Sequence, residues 1–274
     1  MKEALGGIKH PAFRDALSLT RAGGRIASGR YLVEDADMVR QALTSSPDTT
    51  PIFAVFVSPE AVADLESLCA ARNVPLYIAG GGLLSKLVGT GYDTAVTAVA
   101  VIGQQLSPLE SLLSKARPLI LCGEKIQDPR NVGVLIRTAD AAGCAGLILS
   151  SDSAEPFSRQ AVRSTTGSIL RVPLHMAPDL PEALRTLQRQ GTTIAVSSGQ
   201  APMTAFDADL SSLPLVIVVG NEQTGVTVET QALADIYLRL PMAPNGADSL
   251  NVTVAAGALV YEAIRQGERS SGRT

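Results

Sequence analysis

Short runs of β-branched and aliphatic residues alternate with stretches of helical periodicity along most of the chain. In the first hundred residues this pattern predicts strands at Tyr31–Val33, Ile52–Ser58, Pro75–Ala79 and Thr94–Ile102. It predicts helices at Ala12–Ser28, Asp35–Leu43, Pro59–Arg72 and Leu83–Val88. Strands separated by helices indicate parallel pairing, in a sheet that is covered on both faces.

The same alternation starts again at Leu119, after a polar stretch with two prolines, Gly103–Pro118, which we interpret as a connector. The predicted strands are Leu119–Cys122, Gly146–Ser150, Ile169–Pro173, Thr193–Val196, Leu215–Val219 and Tyr237–Leu240. The predicted helices are Pro129–Ala142, Ser158–Thr165, Leu180–Gln190, Glu229–Asp235 and Ser249–Gln266. The sequence therefore predicts two α/β domains, at residues 1–105 and 115–270.

Composition narrows the class of protein. The chain has 274 residues, of which 46% are hydrophobic and 18% charged, so it is not disordered. Aromatic residues are only 4%, without Trp, which counts against a single-stranded nucleic-acid platform built on stacked rings. The net charge of −3 excludes polyanion binding by bulk charge. Residues 1–30 nevertheless carry a local net charge of +4, typical either of a phosphate-binding surface or of a solvated helix face.

The reactive residues indicate a reducing compartment. Three cysteines, Cys69, Cys122 and Cys144, form no C-x-x-C pair, which argues against a disulfide framework and a zinc knuckle. Two histidines are too few for a histidine-rich metal site. The amino terminus does not resemble a signal peptide, and no apolar run approaches the ~18 residues of a membrane span. We expect a cytoplasmic protein that needs no metal.

The first segment with residues suited to binding or catalysis begins a predicted helix. Asp128 is a good N-cap, and Pro129 suits the first helical position. Asn131 and Arg137 lie about 120° apart on a straight helix, so one ligand meets both only if it wraps the first turn. The alternative is a buried polar helix start with a surface pair between Arg137 and Asp140.

Two further segments follow predicted strands. An unbroken apolar strand ends in Gly220-Asn221-Glu222-x-x-Gly225, a position where α/β sheets bind ligands, although a tight turn with a solvated Glu222 is the alternative. The segment is neither a P-loop nor a G-x-G-x-x-G fingerprint. After Leu240, Ser249 is expected to cap the last helix and Asn251 to lie in its exposed first turn.

Together these segments resemble the SpoU/TrmH branch of the SPOUT RNA methyltransferases over residues 115–270. The three matching motifs are Asn131-x-Gly133-x-x-x-Arg137-x-Ala139, Gly220-Asn221-Glu222-x-x-Gly225 and Pro241-Met242…Ser249-Leu250-Asn251-Val252. The first third is similar to the ribosomal-protein-like substrate-binding domain of many rRNA-modifying members, with Arg30-Tyr31-Leu32-Val33-Glu34 as its cue. Asp35 departs from the glycine common there, and the loop Ala243–Asp248 is one residue longer than usual.

The resemblance implies an α/β-knot fold, a mostly parallel sheet with a trefoil knot, and a homodimer. It implies that S-adenosylmethionine binds in the knot through backbone groups at Gly220, Leu240 and Leu250. The implied reaction is methyl transfer to a ribose 2′-hydroxyl, without a metal.

The resemblance also distributes roles over the motif residues. Arg137 matches a position proposed as the base, but arginine has a pKa above ~12 and is normally always protonated, so we expect it to bind a phosphate and orient the hydroxyl. A phosphate or water would then relay the proton. Asn131 is expected to position the ribose, Glu222 and Ser249 to support the pocket, and Asn251 to bond near the cofactor or Arg137. The candidate RNA-binding residues are Arg14, Arg21, Arg25 and Arg30.

The amino-terminal domain favours large-subunit (23S) rRNA as substrate, because tRNA-specific relatives usually lack it. A tRNA 2′-O-methyltransferase and a non-catalytic RNA-binding or ribosome-assembly factor on the same scaffold are the alternatives. An antibiotic-resistance methyltransferase has the same layout. A nucleotide-binding metabolic enzyme is less favoured, because both phosphate-loop signatures are missing from the sequence.

Overall fold

The computed structural model describes residues 2–88 and 96–270. The strands are β1 Lys2–Ala4, β2 Arg30–Glu34, β3 Ile52–Val57, β4 Leu76–Ile78, β5 Ala98–Gly103, β6 Leu119–Gly123, β7 Gly146–Ser150, β8 Leu174–Ala177, β9 Thr193–Ser197, β10 Met203–Thr204, β11 Leu215–Val219 and β12 Ile236–Arg239. The helices are α1 Pro11–Ser18, α2 Ala22–Ser28, α3 Ala36–Thr44, α4 Val62–Ala71, α5 Gly81–Val88, α6 Pro129–Ala141, α7 Arg159–Thr165, α8 Leu180–Arg189, α9 Val228–Gln231 and α10 Val252–Ser270.

The chain divides into two compact units. The first unit comprises residues 1–105 and 157–171, and the second comprises residues 106–156 and 172–274. The stretch 157–171, which contains α7, lies in the half of the sequence predicted to form the second domain. In the structure it groups with the first unit, which is therefore built from two separate stretches of chain.

The sheet of the first unit is mixed. Its strand order is β1-β4-β3-β5-β2, and β5 runs antiparallel to both β2 and β3. The prediction of uniformly parallel pairing was wrong here. It was drawn from the helices between consecutive strands, whereas β2–β5 and β3–β5 are pairs of non-consecutive strands, whose direction those helices do not determine.

The predicted helix Ala12–Ser28 is two helices, since α1 ends at Ser18 and α2 begins at Ala22. The two pack closely at Gly24, where a Cβ atom would lie 2.1 Å from the Ser18 carbonyl oxygen. The core beneath them includes Phe13 and Phe56, whose rings meet edge to face at 6.1 Å between centroids. Strand β1 was missed because its residues show no apolar alternation. Part of the predicted strand Thr94–Ile102 lies outside the described residues.

Arg72, at the end of α4, connects this helix to the end of α3 and the loop that follows it. Its guanidinium donates hydrogen bonds to the carbonyl oxygens of Leu43 at 3.2 Å and Thr50 at 2.8 Å, and also to that of Ser45. These carbonyls include the last ones of α3, which have no partner within the helix and carry its partial negative charge.

We expect Arg72→Met to destabilise the first unit by about 2 kcal/mol, because the aliphatic stem stays and the charged donors are lost. Urea unfolding followed by circular dichroism measures the change. Arg40→Met is the control, since among the described residues the Arg40 side chain forms only an exposed pair with Asp37, whose loss costs below about 0.5 kcal/mol. Equal effects of the two substitutions would contradict the proposed importance of Arg72.

The second unit contains a seven-stranded parallel sheet in the order β10-β12-β9-β11-β6-β7-β8. This confirms the predicted α/β fold with a mostly parallel sheet. Every residue of β6, β7 and β11 is buried, which explains their unbroken apolar sequences. From β6 the chain builds towards β8 on one side, while β11, β9, β12 and β10 lie on the other. The order therefore reverses between β6 and β11, a position where such sheets bind ligands.

Two predicted elements of this half differ in the structure. The predicted strand Ile169–Pro173 was wrong: Ser168–Leu170 is a short 3-10 helix, and β8 begins at Leu174. The apolar side chains that suggested a strand, Ile169 and Leu170, are buried within the first unit instead. The last helix begins at Val252 and not at Ser249.

Cys69, Cys122 and Cys144 are buried free thiols. Burial raises the pKa of the Cys69 thiol to about 11 and that of Cys144 to about 12. No helix within residues 2–88 and 96–270 is both long enough and apolar enough to cross a membrane.

Candidate active site

A cavity of about 220 Å³ opens at the carboxyl ends of three neighbouring parallel strands, β12, β9 and β11. Its walls come from the segments that follow these strands and from the start of α10. They comprise Ser197, Ser198, Gly199, Val219, Gly220, Asn221, Glu222, Gly225, Leu240, Met242, Asp248, Ser249, Leu250, Val252 and Ala255. The second and third sequence motifs therefore line one cavity.

The backbone around this cavity offers unused hydrogen-bonding groups. The N–H and C=O groups of Gly220, Leu240 and Leu250 form no hydrogen bond with other backbone groups of the described residues. Backbone polar groups seldom stay unpaired unless water or a ligand binds them. Met242 and Leu250 add half-exposed apolar side chains beside these groups. The cavity is suited to a ligand that is partly flat and apolar and is recognised by main-chain atoms.

The loop after β11 is held in shape by Asn221. The side-chain oxygen of Asn221 accepts hydrogen bonds from the backbone N–H groups of Gln223 at 2.8 Å and Thr224 at 3.1 Å. Its amide donates to the Lys125 carbonyl oxygen at 2.9 Å, which ties this loop to the one after β6. Sequence reasoning assigned Asn221 no role. The signal was an asparagine immediately after a strand and before a glycine-containing loop, where it can form a side-chain turn.

Helix α6 begins as its sequence predicts. The Asp128 carboxylate accepts a hydrogen bond from the backbone N–H of Arg130 at 2.8 Å, and Pro129 occupies the first turn. Hydrogen bonds from the side chain and then the backbone of Arg130 lower the pKa of Asp128. The predicted N-cap is therefore confirmed.

The three motifs meet in a chain of side-chain hydrogen bonds. The Asn131 amide donates to the Glu222 carboxylate, 91 residues later in the sequence. The Asn251 amide donates to the Asn131 side-chain oxygen at 3.3 Å, across a separation of 120 residues. Glu222 also lines the cavity, so this network lies at its rim.

Asn251 also caps α10. Its side-chain oxygen accepts hydrogen bonds from the backbone N–H of Thr253 at 2.9 Å and from the Thr253 hydroxyl at 2.6 Å. The expectation that Ser249 caps this helix was wrong, because the helix starts three residues later. Ser249 is exposed and lines the cavity.

Arg137 lies on the exposed side of α6, apart from the network. It makes no hydrogen bond or ion pair with any residue in the described ranges, so the alternative surface pair with Asp140 is not formed. The candidate base of the sequence analysis is thus an exposed cation available to a ligand.

The four candidate RNA-binding arginines of the first unit differ in exposure. Arg14 and Arg21 are exposed. Arg30 is half-buried, pairs with Asp15 at 3.1 Å, and lies over the Phe53 ring at 3.8 Å from its centroid. Arg25 is buried and donates a hydrogen bond to the Leu19 carbonyl oxygen at 2.9 Å. Arg25 therefore does not belong to the exposed basic surface.

The two functions of Asn251 can be separated by substitution. Asn251→Asp keeps the oxygen that caps α10 but removes the amide that donates to Asn131, so we expect near-normal thermal stability, with the methyl transfer that the sequence resemblance implies lowered about tenfold or more. Asn251→Ala loses both functions and costs an additional ~1 kcal/mol of stability. Calorimetry and a methyl-transfer assay measure the two effects. Normal activity of Asn251→Asp would contradict a role for the network in the reaction.

Comparison with known proteins decides the family. The model of the SpoU rRNA Methylase family matches residues 118–261, more than half of the chain. The chain belongs to the SpoU rRNA methylase family. The match contains all three motifs, so the predicted SpoU-type RNA methyltransferase is confirmed.

Individual relatives agree with this assignment. The 23S rRNA (guanosine-2′-O-)-methyltransferase RlmB of Vibrio parahaemolyticus is 37% identical over 66% of this chain and 73% of its own length. The AdoMet-bound rRNA methyltransferase from Sinorhizobium meliloti superposes with a TM-score of 0.84 at 28% identity, covering 96% of this chain and 98% of the other. The SpoU methyltransferase AviRb from Streptomyces viridochromogenes, in complex with AdoMet, has a TM-score of 0.83 at 25% identity, over 97% and 100% of the chains.

The cofactor prediction, S-adenosylmethionine, is confirmed by these neighbours, and the chemistry of the cavity lining suits that molecule. Its unpaired main-chain groups can recognise the polar edge of an adenine ring, while Met242 and Leu250 provide apolar contact. Among the described residues there is no group of three His, Cys, Asp or Glu side chains that could hold a metal ion.

Proposed function

We propose that the chain transfers a methyl group from S-adenosylmethionine to a ribose 2′-hydroxyl of large-subunit (23S) rRNA. The observation that carries the proposal is the convergence of Glu222, Asn131 and Asn251 in one hydrogen-bonded chain at the rim of the cofactor cavity. Residues so far apart in sequence are brought together beside unpaired main-chain groups, as a preorganised site requires.

The cofactor supplies a methyl group on a positively charged sulfur. In this proposal the main-chain groups of Gly220, Leu240 and Leu250 hold it, and Ser249 contacts it at the open side of the cavity. The family's trefoil knot, which would place these three segments side by side, is part of the proposal.

Asn131 positions the ribose. Its side-chain amide donates one hydrogen bond to Glu222, and its side-chain oxygen accepts a hydrogen bond from the Asn251 amide. An asparagine has two amide hydrogens and two acceptor lone pairs, so one of each remains for a substrate hydroxyl. Glu222 and Asn251 fix the amide orientation by accepting on one side and donating on the other.

Arg137 binds the phosphate next to the target nucleotide. Its guanidinium keeps its charge throughout the reaction, and its planar fork matches two phosphate oxygens. The hydroxyl must lose a proton as it attacks, and arginine does not accept one. The proton therefore leaves through the bound phosphate or a water, and the role of Arg137 is orientation.

The first unit contributes affinity for RNA. The exposed Arg14 and Arg21 and the half-buried Arg30 form its basic surface in this proposal, within the substrate-binding domain at residues 1–105. Full-length similarity to an rRNA methyltransferase supports rRNA over tRNA.

A homodimer is the proposed functional state. Helix α10 exposes Val254 and Tyr261, which are 56% and 52% accessible and lie seven residues apart on one face. Exposed apolar side chains on one helix face are typical of a protein interface.

The test is methyl transfer from radiolabelled S-adenosylmethionine to unmodified 23S rRNA and to tRNA transcripts, followed by nucleoside mass analysis. A 2′-O-methylnucleoside in rRNA is the expected result. Label in tRNA alone would overturn the assignment of the first unit. Tight RNA binding without cofactor binding or methyl transfer would instead establish a non-catalytic RNA-binding factor.

A further inference from the structure

The first unit contains a cavity of its own, of about 330 Å³. It is formed by residues near the end of α1, by β2, by the end of α5 and by α7. Small-molecule sites occupy roughly 300–1,000 Å³, so this cavity has room for one nucleotide-sized group and none for a duplex.

The charged side chains that line this cavity are mostly cationic. Four basic side chains, Arg25, Lys86, Arg159 and Arg163, face one carboxylate, that of Glu34. Both Glu34 oxygens are engaged, by Arg159 Nε at 3.0 Å and by Arg163 Nε at 3.0 Å. Because one carboxylate offsets one of four positive charges, the lining favours an anion.

Two of these cations have complementary placements. Arg25 is only 7% exposed, and its guanidinium is fixed in the wall by the hydrogen bond to Leu19. Lys86 is exposed at the end of α5 and makes no hydrogen bond or ion pair with the part of the chain that is described. A buried cation in the wall and an available one at the opening can hold a phosphate between them.

The rest of the lining is apolar. Leu32, Leu87, Phe157 and Val162 contribute to it, and the Phe157 ring is packed against Tyr31 with 5.0 Å between ring centroids. An inorganic anion would leave these side chains facing water. A nucleotide suits both the apolar and the cationic side chains of the lining, because its base has apolar faces and its phosphate is negative.

We propose that this cavity binds one unpaired nucleotide of the RNA, with the phosphate at Arg25 and Lys86 and the base against Phe157 and its apolar neighbours. The inference rests on the proposed function, and it specifies that the first unit binds the RNA through an unpaired nucleotide. It also gives the buried Arg25 an RNA contact that its position excludes on the outer surface. A free mononucleotide has the same phosphate and base, so the test distinguishes a nucleotide within RNA from a free one.

The experiment measures binding of a fluorescein-labelled single-stranded hexanucleotide of mixed sequence to the full-length protein by anisotropy. Lys86→Glu reverses the unpartnered charge, and we expect it to weaken binding about tenfold and to reduce the salt dependence by about one phosphate contact. Thr20→Trp places a large ring at an exposed lining position, and we expect a similar loss because the base is displaced. Lys9→Glu is the control: Lys9 is exposed in the same unit but outside the lining, so its effect stays below about twofold.

Methyl transfer to rRNA by the unaltered protein is measured in parallel. If that protein transfers no methyl group, the proposed function fails. If it does, and both lining variants bind like Lys9→Glu, only the nucleotide cavity is disproved. A loss with Lys86→Glu but not with Thr20→Trp would leave a surface phosphate contact and overturn the cavity proposal. Displacement of the hexanucleotide by equal concentrations of AMP, GMP, CMP and UMP would assign the cavity to free nucleotides.

Discussion

Replacing Arg137 with lysine is expected to lower the rate of methyl transfer to RNA by about 10²-fold, although the positive charge is kept. Lysine presents a single point charge on a flexible stem, whereas the guanidinium fork fixes a phosphate in two directions. A phosphate that can rotate no longer holds the 2′-hydroxyl in line for attack. Arg137→Ala, which removes the contact entirely, is expected to lose about 10³-fold.

The loss should appear in turnover and not in cofactor affinity, because Arg137 does not line the cavity proposed to hold S-adenosylmethionine. Single-turnover methyl transfer and calorimetric titration of the cofactor separate the two. Helix stability should hardly change, since arginine, lysine and alanine all favour helices. Arg185→Lys, on an exposed position of α8, controls for a general effect of the exchange. Near-normal turnover of Arg137→Lys would show that the planar fork is unnecessary, and reduced cofactor binding would place Arg137 in a different role.

The local features of the site follow from the sequence because they depend on neighbouring residues. The N-cap at Asp128 and the apolar stripe of α6 need only a few consecutive positions, and both are found in the structure. The strand before Gly220 is likewise predicted to the residue, since an unbroken apolar run bounded by a proline and a glycine leaves little choice.

Partners far apart in the chain could not be predicted in this way. The motifs indicated one site, but not that Asn131 bonds both Glu222 and Asn251 while Arg137 stands apart. Helical geometry predicts only that Asn131 and Arg137 point in different directions from α6. Which of them reaches a third residue depends on how β11 and α10 pack around α6.

The start of α10 shows a second limit. Ser249 and Asn251 are about equally good N-caps, so local propensity does not choose between them. Packing does, because Val252 is buried and is the first residue of the helix. The same reasoning applies to α7, whose pattern reveals an apolar face without revealing that it packs within the first unit.

Gly220→Ala should abolish tight binding of S-adenosylmethionine. An added Cβ would lie 2.4 Å from the Gly225 carbonyl carbon and 2.4 Å from the Val226 backbone nitrogen, distances that two non-bonded atoms cannot maintain. Both obstacles are backbone atoms, so no side-chain rotation relieves the clash. The loop or the strand end must move.

Neither strand β11 nor the segment at Val226 can move easily to make room for the added Cβ. Strand β11 is buried along its whole length between β6 and β9. On the other side Val226 is buried, and the next residue, Thr227, donates its backbone N–H to Glu124 at 3.0 Å and its hydroxyl to the same carboxylate at 2.6 Å. Overpacking of this kind typically costs ~1–3 kcal/mol. The displacement falls on the segment that carries Glu222, so cofactor affinity should drop by about 10²-fold, with a lower melting temperature.

Calorimetric titration and thermal unfolding measure the two consequences. Gly267→Ala is the matched control, because its added Cβ meets nothing within 4 Å and it lies in the last turns of α10. That exchange should leave cofactor affinity unchanged and raise stability slightly, as alanine favours a helix over glycine. Cofactor binding by Gly220→Ala as tight as that of Gly267→Ala would mean that the loop after β11 can move without cost. The shape of this loop would then not define the cofactor site.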